Sequence, residues 1–247
     1  MTDASGGLAL TGERTLPGIW HENYWFRRHE AAYQALAPFC RHARVLEAGC
    51  GEGYGAELLA RTAGACVLAL DLDAASIAHV SRRYPSVRAV CADLQRLPVR
   101  DGAVEVVATL QVVEHLWDQR GFVAECARVL RPAGTLLLTT PNRLTFSPGR
   151  TTPVNPFHTR EFAPDELVTL LAPRFAVTRL YGLHHGRRLR RFERRHGPLV
   201  DVLVAGSPES WPEAVRRFVP TVRAADFAVT EKDVTRALDL LAVAIRT

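Results

Sequence analysis

The chain has 247 residues, 47% of them hydrophobic, enough for one large domain with a sizeable core and no need of a second. No apolar run approaches the roughly 20 residues of a membrane span, and the N-terminus lacks the basic-then-apolar layout of a secretory signal, so no membrane partner is expected and residence should be cytoplasmic. The net charge of +5 rests on arginine, with Lys232 the single lysine, and a bias spread over the whole chain argues against nucleic acid as a partner.

The first twenty residues are polar and glycine-bearing, include Gly12-Glu13-Arg14-Thr15-Leu16-Pro17-Gly18, and are expected over the surface. Glu22 to Glu30 then combines aromatics and charge at the head of a helix reaching Leu36. Trp25 and Phe26 suit a staple to the core. Tyr24 and Arg28 are candidates for capping a ligand, because a planar guanidinium matches a carboxylate.

Val45 to Tyr54 is a short apolar strand running into a glycine-rich turn, with helix-like Ala56 to Ala60 behind it. Such a turn lets backbone approach a nucleotide, and the free N–H groups at the helix start favour polar or anionic groups. The dinucleotide fingerprint needs a third glycine where Tyr54 stands, the glycines here being Gly49, Gly51 and Gly53, so NAD is disfavoured. Glu47 is placed to face a cation, which a pyrophosphate is not.

Cys66 to Asp71 is a second strand ending in an acid suited to ribose hydroxyls, and Asp73 is placed to cap the helix from Ala74. Val87 to Leu94 is a third strand, with Asp93 as its terminal acid. Strand four, Val104 to Leu110, leads into Gln111-Val112-Val113-Glu114-His115-Leu116-Trp117-Asp118, the place for chemistry because ligands of open α/β sheets bind at the carboxyl ends of strands. Helical periodicity over Phe122–Leu130 stops at Arg131-Pro132-Ala133-Gly134 before strand five, Thr135 to Thr140. A Pro-, Thr-, Ser- and Asn-rich loop follows Pro141 and carries Asn155 and His158, a natural acceptor wall.

Pro164 to Leu171 then reads as helix, and Phe175 to Tyr181 and Asp239 to Ile245 as strands, for a total of seven strands. Between them, His184 to His196 holds the densest arginine run, a solvated helix, a lid or an RNA face; only Phe192 is there to stack on a base. The five cysteines, Cys40, Cys50, Cys66, Cys91 and Cys126, are odd in number and lack zinc-finger spacing, which points to reduced, mostly buried thiols.

The glycine turn with its two strand-end acids resembles the class I S-adenosylmethionine-dependent methyltransferases. That resemblance implies an α/β, three-layer Rossmann-like fold with a seven-stranded sheet, laid out as an N-terminal cap (1–40), a core (41–181), a helical insertion or lid (182–234) and a last strand (235–247). It implies S-adenosyl-L-methionine as cofactor, with Gly49 and Gly51 in the cradle, Glu47 toward the methionyl ammonium, Asp71 and Leu72 at the ribose, Asp93 and the Leu94 backbone at the adenine, and Gln111 at the end of strand four. Tyr24 would close over the methionyl tail and Arg28 would pair with its carboxylate.

Gly12–Gly18, Glu22–His29, Leu46–Tyr54, Glu114–Asp118 and Thr140–His158 together also resemble the mycobacterial mannoside O-methyltransferases of methylmannose polysaccharide biosynthesis. The implied substrate is a small oligosaccharide methylated at its reducing-end 1-OH; the alternatives are another glycan or glycosylated small molecule, or RNA. A neutral imidazole suits the base, with His115 favoured over His158 and His29, His79, His184 and His185 left to surface or packing. Glu114, His115 and His158 are also candidate metal ligands, with Mg2+ the candidate ion although the set is rich in nitrogen. Trp25, Trp117, Phe146, Asn142 and Asn155 are the expected sugar contacts, under a lid formed by the arginine run. A homodimer is compatible with all of this.

Overall fold

In the computed structural model, which describes residue 8 and residues 14–247, apolar strands alternate with helices in the order α1 (Asn23–Leu36), β1 (Arg44–Ala48), α2 (Tyr54–Ala63), β2 (Cys66–Asp71), α3 (Ala74–Arg83), β3 (Arg88–Cys91) and β4 (Val104–Leu110). The series continues with α4 (Gln119–Val129), β5 (Leu130–Pro141), α5 (Arg143–Phe146), α6 (Pro164–Leu171) and β6 (Phe175–His185), then α7 (Arg187–His196), α8 (Leu199–Ala205), α9 (Glu213–Phe218), β7 (Phe227–Thr230) and β8 (Asp239–Arg246). Gly12 and Glu13, part of the N-terminal motif, lie outside the described residues.

The strands form one sheet in the order β3-β2-β1-β4-β5-β8-β6-β7. β1 to β5 run parallel, and β8 enters antiparallel between β5 and β6. Both faces are covered, so the central strands are apolar throughout rather than alternating with polar residues. Val45 packs into the layer holding Tyr33, Leu36 and Leu59, and its neighbour Leu46 into the opposite layer with Phe122, Leu136 and Phe162, as the two-residue period of a strand requires. Strand order reverses between β1 and β4, which opens a crevice at their carboxyl ends.

The sheet has eight strands, one more than expected. The addition is β7, which pairs antiparallel with a β6 longer than its apolar run suggested and lies inside the segment read as a helical insertion. Phe227-Ala228-Val229-Thr230 is too short to show a strand period of its own, and it becomes a strand by pairing with Gly182–His185. Cys40, Cys50 and Cys126 are buried, whereas Cys66 and Cys91 are exposed; all five are free thiols. No helix among the described residues is long and apolar enough to cross a membrane.

Candidate active site

The turn carries no side chain of its own at Gly49, Gly51 and Gly53. Gly49 has φ +86°, and a Cβ there would come within 2.5 Å of Val112 Cγ2. Its N–H and that of Cys50 both donate to the Leu70 carbonyl, at 2.8 and 2.9 Å, tying the turn to the end of β2. Gly51 N–H donates to Asp71 Oδ2 at 2.8 Å, and Asp73 N–H to Asp71 Oδ1 at 3.0 Å. Asp73 itself caps α3, accepting from Ala75 N–H at 3.0 Å, as its position suggested.

Over this turn lies a groove of about 400 Å3 whose walls include Gly49, Gly51, Asp71, Leu72, Leu94 and Gln111. Side-chain-free backbone, an acid at a strand end and two apolar flanks, one of them Leu72 at 70% exposure, fit a nucleoside. Gln111 adopts φ +57° and donates from its amide to Thr139 Oγ1 at 3.1 Å.

Two expected groove residues sit elsewhere. Glu47 shares a strand face with Val45, so it points under the turn toward α1, where it is fully buried and accepts from Tyr33 Oη at 2.6 Å. Burial pushes its carboxyl up to about 8, and Oε2 has no partner among the described residues. Asp93 is exposed and accepts from Gln95 N–H at 2.9 Å; its neighbour Leu94, not its own carboxylate, forms the groove wall.

A second cavity, of about 340 Å3, adjoins the groove and shares Arg14, Gln111 and His115 with it. Its other walls come from distant parts of the chain: Trp25, Arg28 and His29 on α1, Phe146 at the end of α5, Asn155 and His158 on the loop that follows it, and Leu203 and Val204 on α8.

Several expectations are corrected here. Tyr24 is buried facing the other way, its hydroxyl 2.6 Å from His185 Nε2, because the ring packs with His185 and Phe227. Arg28 already holds a carboxylate: its Nε and Nη2 donate to Asp239 at 2.6 and 2.5 Å, leaving Nη1 unpartnered among the described residues. Asn142 is fully buried and donates to the carbonyls of Val234, Thr235 and Ala237, a structural pin rather than a sugar contact. Trp117 is 89% exposed and forms no wall of either cavity. The arginine run is α7, whose Arg188 pairs with Asp226 at 2.6 Å; the part of the insertion that reaches the cavity is α8.

Glu114, His115 and His158 do come together, with one ligand atom from each within 4.8 Å of the others, and the two rings meet edge to face at 4.8 Å. His115 Nδ1 lies 3.1 Å from the Phe157 carbonyl, which can only accept, so Nδ1 carries the proton and Nε2 presents a lone pair with no donor among the described residues. Burial, with the His158 ring adding to it, holds His115 down at about 4 and therefore neutral at pH 7. His158 Nδ1 is 2.8 Å from Glu161 Oε1, and its Nε2 faces the Asn155 amide nitrogen at 3.0 Å. Asn155 Oδ1 accepts from Phe157 N–H at 3.0 Å, which orients that amide so that it donates to His158.

Glu114 is fully buried, accepts from Thr140 Oγ1 at 3.0 Å, and is pushed up to about 8 by burial; Oε1 has no partner among the described residues. Two imidazoles and one carboxylate suit a borderline transition ion, not Mg2+, which wants oxygen ligands in near-octahedral order. Magnesium therefore does not fit this set.

Sequence reasoning missed Arg14, His29, Glu161 and α8. Arg14 lines both cavities and pairs with Asp73 at 2.7 Å. His29, expected at the surface or in packing, lines the cavity with Nδ1 3.0 Å from Tyr54 Oη. For Glu161 the only available sign was its spacing of three residues from His158.

Residues 46–138 match the methyltransferase domain family. A probable S-adenosylmethionine-dependent methyltransferase of Mycobacterium tuberculosis is 52% identical over 97% of this chain and 90% of its own length. One from Mycolicibacterium smegmatis is likewise 52% identical, over 97% of this chain and 95% of its own. Among solved structures, geranyl diphosphate C-methyltransferase of Streptomyces coelicolor, in complex with Mg2+, geranyl diphosphate and S-adenosyl-L-homocysteine, superposes with a TM-score of 0.62 at 18% identity, covering 94% of this chain and 86% of that one. At that identity the likeness is one of fold.

Proposed function

The chain belongs to the S-adenosylmethionine-dependent methyltransferases, and from that premise we propose that it methylates a hydroxyl group of a short, neutral saccharide. The observation that carries this reading is His115, a neutral imidazole with a bare Nε2 on the wall common to the cofactor groove and the adjoining cavity. Trp25, Phe146 and Asn155 line that cavity, and neutral sugars are held by aromatic faces and amide hydrogen bonds rather than by charge. A volume of about 340 Å3 lies at the small end of ligand sites and suits a short acceptor, not a polymer. The finer assignment, the reducing-end hydroxyl of a methylated mannoside, rests on the resemblance of the N-terminal, Glu114–Asp118 and Thr140–His158 segments.

The cofactor supplies an electrophilic methyl group on a sulfonium. Gly49, Gly51, Asp71, Leu72 and Leu94 would hold it in the groove. Nε2 of His115 receives the proton of the acceptor hydroxyl, while the Nδ1–H bond to Phe157 keeps the ring in one tautomer and orientation. Glu114 Oε1, protonated near neutral pH, is free to hold a second acceptor oxygen. Trp25 and α8 exclude water, so the hydroxyl meets the methyl in a fixed geometry.

The test uses labelled S-adenosylmethionine with methylated manno-oligosaccharides of increasing length, and with bulk tRNA. Rapid label transfer to a mannobioside and slow transfer to polymer is the expected pattern. Equal rates on polymer or tRNA would sink the assignment.

A further inference from the structure

Polarity in the acceptor cavity is the reverse of what a protein surface normally shows. Its most buried charged walls are Arg28 at 2% exposure and Glu114 at 0%. Every described wall residue that reaches well into solvent is apolar: Val154 at 40%, Val204 at 49%, and the exposed Pro156. Phe157, next in the chain, is 42% exposed. Scattered exposed valines are ordinary, but here two separate segments turn them to one opening. Val204 is not part of the core, since α8 already buries Leu199 and Leu203 there.

We infer that the acceptor is amphipathic: a short saccharide whose far end carries an alkyl or acyl substituent, seated against Val154, Pro156 and Val204 while its hydroxyl reaches His115. This rests on the saccharide reading above. A sugar alone gains little from that rim, whereas each methylene buried against it tightens binding by about fourfold. The exposed apolar walls and the buried charged ones line one cavity, so a single ligand with both characters can meet both.

Two mannobioses with a free reducing-end hydroxyl separate the two claims, one bearing a methyl and the other an octyl ether at the non-reducing end (the methyl and octyl glycosides). Each is titrated by calorimetry into protein saturated with S-adenosylhomocysteine, and each is assayed with labelled S-adenosylmethionine, for the unmodified chain and for Val204→Asp and Val154→Ser. Retained S-adenosylhomocysteine binding shows that the variants fold. Three or four buried methylenes should make the octyl glycoside bind about a hundredfold more tightly, with the octyl-to-methyl ratio falling toward unity in Val204→Asp. Equal affinities overturn the amphipathic acceptor, and if both glycosides are methylated the saccharide reading survives that result. Failure to methylate either glycoside overturns the saccharide reading. In that case octyl binding that Val204→Asp abolishes still supports the apolar mouth, and absence of binding by both glycosides overturns it as well.

Discussion

The groove over the glycine turn and the adjoining cavity share Arg14, Gln111 and His115, yet one is drawn mainly from neighbouring strand ends and the other from distant segments. The groove comes from consecutive strand ends and one glycine turn, whose shape is fixed by N–H bonds to Leu70 and Asp71. The cavity gathers α1, the loop after β5 and α8, which meet only because the sheet brings them to one end. Damage to the groove should therefore act through conformation and cofactor affinity, and damage to the cavity through turnover.

Gly49→Ala is the severest test of the first half of that contrast. A Cβ 2.5 Å from Val112 at φ +86° should cost about 2–5 kcal/mol and remove S-adenosylhomocysteine binding in calorimetry. A variant that kept its melting temperature and its affinity would mean the turn is not built as described.

Next in size are the cavity histidines. His115→Ala should lower kcat about 10²- to 10⁴-fold while cofactor affinity stays largely in place, and His158→Ala should cost less. Because His115 stays neutral down to about 4, the acid limb of kcat/KM should appear only toward that value. Full turnover in a protein lacking both imidazoles would remove the base altogether.

Asp71→Ala should weaken S-adenosylhomocysteine binding about ten- to a hundredfold, since a charged hydrogen-bonding group on the groove wall is lost. Asp93→Ala should do less, its carboxylate being exposed and turned to Gln95. A reversed order of the two would move the nucleoside away from β2.

Smaller still is a pH effect common to both sites. Glu47 under the groove and Glu114 beside the cavity are both raised by burial to about 8 from an ordinary 4.5. Between those values the folded chain keeps protons that the unfolded chain releases, so their contribution to stability is complete below about 4.5 and is lost as pH rises through about 8. Glu114→Gln or Glu47→Gln should reduce the drop in melting temperature from pH 5 to pH 8 by a few degrees. An unaltered profile in both variants would show that neither acid is protonated in the fold. The smallest expected effect is none: dialysis against EDTA should leave turnover unchanged, and a loss restored by Mg2+ would return that ion to Glu114, His115 and His158.

Much of the groove was legible in the chain, because a strand, a glycine turn and a terminal acid are local features whose backbone demands appear in a few consecutive residues. Gly49, Gly51, Asp71 and Leu94 needed nothing distant to be placed. Glu47 lies beneath Tyr33 and not in the groove, because strand alternation puts it on the face of Val45. His115 and His158 were singled out by the segments that carry them, but their tautomers depend on Phe157 and Asn155, and these are tertiary contacts.

What only the folded chain decided lies at long range. Arg28 meets Asp239 across 211 positions, which commits its Nε and Nη2 within the fold and leaves only Nη1 unpartnered among the described residues. Tyr24 turns to His185, 161 positions away, and the cavity is walled by α8 instead of the arginine helix. The sequence by itself determined the alternating strands and helices, which follow from residue type and spacing over a turn or a strand, and its resemblance to a known family gave the cofactor class. Which partners the charged and aromatic side chains take, and which segment covers the acceptor, was decided by packing, because a buried ion pair or hydroxyl must be satisfied by whatever the sheet order brings beside it.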